Sequence, residues 1–114
     1  MYIRTDFHIY EIKSEEIIQG EKYYNIEIRG GLNKLKAEFG KQSENLEELC
    51  DEFVIEYRDG SKIISIHDNT DDFLREHKGE IESGCIKNVY GGIWTDKGLI
   101  YVAKMNDKGE LELI

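Results

Sequence analysis

The sequence predicts an α+β fold, mainly antiparallel β-sheet with two short helices. Three observations predict it. Short segments alternate apolar and polar residues with period 2, the pattern of half-buried strands. The 114 residues contain no proline, so turns fall to Gly, Asn and Asp, which suit hairpins. Only two stretches, near 46–52 and 70–78, join helical spacing to a capping residue. The length fits a single domain over 1–114, large enough for one core without disulfide or metal staples.

The elements follow in order. Residues 2–12 alternate, with Ile3, Thr5, Phe7 and Ile9 on one side of a strand. Residues 13–21 read as a loop or a single helical turn. Residues 22–29 alternate again and form a hairpin with the first strand, ended by Gly30-Gly31. Residues 32–41 fit either a helix (Leu32, Leu35, Phe39) or a strand (Leu35, Ala37, Phe39), and the strand over 34–41 is preferred. Asn45 with Glu48 three residues on reads as a capping box. It opens a helix whose apolar face holds Leu46, Leu49, Cys50 and Phe53. Glu44, Glu47, Glu48, Asp51 and Glu52 fall on the opposite face.

The run 53–57 is β-prone, and Asp59-Gly60 is the strongest turn signal in the chain. Ile63, Ile64 and Ile66 lie on the return strand. The Asp68-Asn69-Thr70 segment offers N-caps for a second helix, which should stop at Gly79. Residues 85–94, 98–105 and 110–114 read as a three-strand meander with turns at 96–98 and 106–109.

The formal net charge is −9, and it is unevenly placed. Residues 1–41 carry seven acids and seven bases, and residues 83–114 carry four of each. The surplus lies in residues 42–82, with thirteen acids against four bases. A patch of that sign suits a basic surface, such as the nucleic-acid channel of another protein, where carboxylates take the place of phosphates as a DNA mimic does. Direct nucleic-acid binding is not expected, because no basic cluster exists. The simpler reading of the acidic stretch is a solvated helix face.

Other chemistry has weaker signals. His67, Asp68, Asp71, Asp72 and His77 are ligand types, but their spacing matches no common metal site, and helix capping explains the acids. No cofactor is expected. Cys85, with His67 or His77 near it, lacks the electropositive setting a reactive thiolate needs. Cys50 reads as a small core residue. The only Trp, Trp94, follows Gly91-Gly92. It reads as a core residue beside a glycine bulge, with a binding surface as the alternative. No apolar run reaches the ~20 residues that span a bilayer. The N-terminus lacks secretory-signal features, so a cytoplasmic protein is expected.

Two segments carry a resemblance: Asn45 through Val54, and Tyr90 through Ile114 with its core Trp94-Thr95-Asp96-Lys97-Gly98-Leu99-Ile100-Tyr101-Val102-Ala103-Lys104. Together they resemble small uncharacterised accessory proteins of phages and integrated mobile elements of Gram-positive bacteria. The resemblance covers about a third of the chain and transfers no catalytic residue. It implies a protein that binds and blocks a host protein, a CRISPR nuclease among the candidates.

The expected function is therefore a non-enzymatic binding module. Glu44, Glu47, Glu48, Asp51, Glu52, Asp71 and Asp72 would dock on a basic surface of a host nucleic-acid-handling protein, the sharpest version being an anti-CRISPR inhibitor. One alternative is a structural protein that pairs through sheet edges, as a homodimer. A second is a metal-dependent enzyme using His67 and nearby carboxylates.

Overall fold

The computed structural model describes residues 1–65 and 69–114. The α+β class holds: antiparallel sheets carry most of the chain, with a few short helices. Contacts divide the chain into two compact units, Met1–Leu49 and Cys50–Ile114. Among the described residues, no helix is long and apolar enough to cross a membrane.

The first unit is a five-stranded antiparallel sheet. Its strands are β1 (Tyr2–Arg4), β2 (Ile9–Ile18), β3 (Glu21–Ile28), β4 (Gly31–Lys36) and β5 (Lys41–Ser43), in the order β4-β3-β2-β1-β5. A buried cluster of Ile3, Tyr24 and Ile26 holds it, with Tyr10, Ile12, Leu35 and Ala37 packed around. Asn25 is buried but satisfied: its amide donates to Ser14 Oγ at 2.9 Å, and its oxygen accepts from Lys34.

Three expectations for this unit need correction. Residues 2–12 form two strands, not one, because Thr5 turns the chain. Its Oγ1 accepts from the backbone N–H groups of Phe7 and His8, and its own N–H donates to the His8 carbonyl at 2.9 Å. Such local side-chain bonds compete with a continuing strand, and they leave Phe7 exposed. Residues 13–18 are strand, not loop, and the hairpin turns at Gln19 and Gly20, both with positive φ. Residues 34–41 split into the end of β4, a 3-10 turn at Ala37–Phe39 and the start of β5. Gly40 sits where they join. A Cβ there would lie 2.6 Å from both the Arg4 carbonyl and Ile3 Cγ1, so only glycine lets β5 approach β1.

The one-turn helix α1 (Leu46–Leu49) closes this unit and buries Leu46 and Leu49. The predicted helix over 46–52 stops early because its later residues are claimed elsewhere. The Asp51 N–H donates to the Gly92 carbonyl at 2.8 Å, and Glu52 begins a strand. The capping pair does meet, although Glu48 reaches the side chains of Ser43 and Asn45 rather than the Asn45 backbone.

The second unit is also a five-stranded antiparallel sheet. Its strands are β6 (Glu52–Tyr57), β7 (Lys62–Ser65), β8 (Ile86–Thr95), β9 (Gly98–Met105) and β10 (Leu111–Leu113), in the order β10-β9-β8-β6-β7. The C-terminal meander is as expected. Two helices, α2 (Thr70–Glu76) and α3 (Lys78–Ser83), lie in sequence between β7 and β8. Phe73 of α2 stacks on Phe53 of β6, centroids 4.9 Å apart, and both belong to a core with Ile55 and Val89. Burying each such side chain contributes roughly 1.5–3 kcal/mol.

Asn69 caps α2 by accepting the Asp72 N–H at 2.8 Å. The predicted stop at Gly79 is a second correction to the helices. Helical structure continues through Gly79, and the stop is Gly84, left-handed at φ 76°. Glycine within a helix costs only about 1 kcal/mol, which neighbouring contacts offset. The β6–β7 hairpin turns at Gly60, φ 91°, with Asp59 accepting from both the Ser61 N–H and its hydroxyl.

Candidate functional site

The seven carboxylates expected to dock are divided between the units. Glu44, Glu47 and Glu48 belong to the first, and Asp51, Glu52, Asp71 and Asp72 to the second. Glu44 and Glu48 are exposed and Glu47 is half-buried. Ser43 Oγ at 2.6 Å and Asn45 Nδ2 at 3.2 Å hold Glu48 below the ordinary carboxylate range, so it stays ionised. In the second unit only Asp71 of the four is fully exposed. Asp72 is half-buried and bonded by Arg75. Glu52 is half-buried, with one oxygen fully shielded from solvent.

Asp51 has a distinct job. Its carboxylate accepts the backbone N–H of Trp94 at 2.8 Å. Trp94 itself is 49 % exposed, so the core role expected for it is overturned. The adjoining glycines do form the expected irregularity, since the β8–β9 register shifts between Gly91 and Gly92. A Cβ on Gly91 would sit 2.7 Å from Cys50 Sγ, which explains why glycine is needed there. Trp94 pairs with Leu99 next to the β8–β9 turn.

No family model, no curated protein and no solved structure matches the chain.

The second unit holds a polar array that sequence reasoning missed. Ser65 Oγ lies 3.3 Å from His77 Nε2, and His77 Nδ1 lies 3.1 Å from Glu80 Oε1. The Tyr57 hydroxyl donates to the other Glu80 oxygen. That bond, with the His77 bond behind it, holds the Glu80 carboxyl below its ordinary value, and the same bond pushes Tyr57 up to about 12. The His77–Glu80 spacing of three was readable in the sequence. Ser65 was not, because only the pairing of Phe53 with Ser65 puts that hydroxyl on the Phe73 side of the sheet.

A second missed grouping is cationic. Lys87, Lys104 and Lys108 come from three separate segments to line one cleft of about 500 Å³, floored in part by Leu74 and Met105. They do not amount to a nucleic-acid surface on three charges alone. His67 and Asp68 lie outside the described residues. Among the described residues, no three His, Cys, Asp or Glu side chains group as a metal site requires. Neither cysteine is placed in a disulfide; Cys50 is half-buried and Cys85 exposed.

Proposed function

We propose that the chain is a protein-binding module acting in the cytoplasm, anchored by Trp94 and steered by its acidic segments onto a basic surface. The observation that carries this reading is the exposed Trp94 held at its backbone by Asp51. Tryptophan supplies more binding energy per residue than most side chains, and anchors are commonly ringed by charge that adds rate and specificity. The charge pattern supports it. Across α2 and α3 five acids face two bases, Arg75 and Lys78, and Asp71 and Glu82 are exposed.

The partner with matching chemistry is a nucleic-acid-handling protein, whose phosphate-binding surface is basic. Inhibition of a CRISPR nuclease encoded by the host of a mobile element is the sharpest form of the proposal. Of the seven carboxylates, the exposed ones are Glu44 and Glu48 in the first unit and Asp71 in the second, each open to a basic surface from its own unit. Glu52 and Asp72, both half-buried, would contribute less.

The test is capture from native-host lysate by the tagged full chain. A nuclease or other nucleic-acid-handling protein should be retained at low salt and eluted as salt rises. Trp94→Ala should weaken capture by about 30-fold, the scale of an interface anchor. Asp71→Lys with Glu82→Lys should lower it further while melting stays unchanged. Identical captured proteins from wild type and both variants, at any salt, would end this reading.

One observation favours a second reading, self-association through a sheet edge. The outermost strand β7 exposes Ile63 and Ile64 at 44 % and 51 %. Unpaired apolar edges invite a second strand. Light scattering that reports a dimer indifferent to salt, and a monomer for Ile64→Lys, would favour it over charge-driven docking.

A further inference from the structure

Ser65, His77 and Glu80 are joined in the order a nucleophilic serine requires: acid to Nδ1, Nε2 to hydroxyl. We propose that Ser65 is an activated nucleophile and that this relay accepts the acyl group of a carboxylic ester. The proposal is independent of the docking role above.

The geometry assigns each part. Glu80 is ionised at neutral pH, so both its oxygens only accept. One takes the Tyr57 hydroxyl proton, and the other faces His77 Nδ1. Nδ1, facing a carboxylate, is the donor to it, and in the neutral ring that arrangement turns the Nε2 lone pair toward Ser65 Oγ, 3.3 Å away. Phe73 holds the ring from its side, centroids 4.8 Å apart, and Phe73 is itself stacked on Phe53. Phe53 pairs with Ser65 across β6 and β7. Strand register, aromatic stack and helix thus converge on one fixed ring. The His77 side chain is 14 % exposed, while Ser65 lies on an outer strand and is half-buried. A shielded base beside a half-buried serine is compatible with the arrangement a nucleophile needs.

The step conserves atoms and electrons. Ser65 Oγ bonds to the acyl carbon while its proton passes to His77 Nε2. The ester C–O bond breaks, and the alkoxide leaves with the proton from Nε2. Water, giving a proton to Nε2, then attacks the acyl carbon, and Ser65 Oγ departs and regains that proton. The products are an acid and an alcohol, and no oxidant or reductant enters. Ser65 is the catalytic residue and His77 its base. Glu80, Tyr57 and Phe73 are positioning residues.

The test uses the full chain with p-nitrophenyl acetate and, separately, a fluorophosphonate, with peptide mass mapping. The expected result is a covalent adduct on Ser65, absent in Ser65→Ala. His77→Gln should slow labelling by about 100-fold, the usual worth of a general base. Glu80→Gln should slow it by about 10-fold or more through loss of ring orientation, at the lower end of the same range. A network that only tethers α3 to the sheet would change melting in these variants and leave no adduct. Adducts confined to lysines or tyrosines in folded wild type would overturn the proposal. So would a labelling rate at Ser65 that His77→Gln leaves unchanged. Should His77→Gln fail to fold, the wild-type map and Ser65→Ala decide the question.

Discussion

The two units use the same scaffold in different ways. Each is a five-stranded antiparallel sheet, and in each one strand pairs with a partner distant in sequence: β5 with β1, β8 with β6. The first unit fills its strand surfaces with ion pairs. Lys22 pairs with Glu15, Lys34 with Glu16, and Lys36 with both Glu21 and Glu38. The second has ion pairs too, such as Lys62 with Glu56, but adds the packing of Phe73 of a helix onto Phe53 of the sheet. Exposed pairs add little stability each, whereas a buried aromatic adds several kcal/mol. The difference teaches where each unit is vulnerable. The first depends on close backbone approach and a small apolar cluster. The second depends on its helix contact.

Three changes probe that comparison, in falling order of effect. Phe73→Ala removes the helix contact and should cost about 3–5 kcal/mol in urea unfolding. A cost below that of a surface change would mean the second sheet is held by something other than its helices. Gly40→Ala forces a Cβ against the Arg4 carbonyl and Ile3. It should cost about 1–3 kcal/mol, the range for overpacking, because the nearest obstacle is backbone that cannot swing aside. The smallest effect is electrostatic. Lys34 holds the Glu16 carboxyl below 4.5, its ordinary value. A lowered carboxyl lends stability above its unfolded value and loses it as pH falls through the folded one. Glu16→Gln should therefore shift the unfolding midpoint slightly at pH 7, and the gap from wild type should close in acid and in high salt. A shift as large as that of Gly40→Ala would contradict the ranking.

Legibility in the sequence followed the locality of the signal. Asp59-Gly60 and Asn106 through Gly109 carry their turn chemistry in adjacent residues, and both hairpins are where those residues put them. Residues 13–18 were opaque because both faces of that strand are polar enough to hide the period of 2. The charges there become intelligible only beside Lys22 and Lys34 on the next strands. The acidic stretch was visible as composition, yet its members proved unequal: Asp71 is exposed, whereas Asp51 holds the Trp94 backbone.

The sequence by itself determined the α+β class, most strand positions, the capped start of α2 and the excess of negative charge. These rest on period, turn residues and counting, all properties of neighbours along the chain. Tertiary structure decided the exposure of Trp94, the early end of α1 and the meeting of Ser65 with His77. Each depends on register between distant strands, and a shift of one residue would turn every side chain to the opposite face. No local pattern specifies that register. It is set when the apolar faces are buried together.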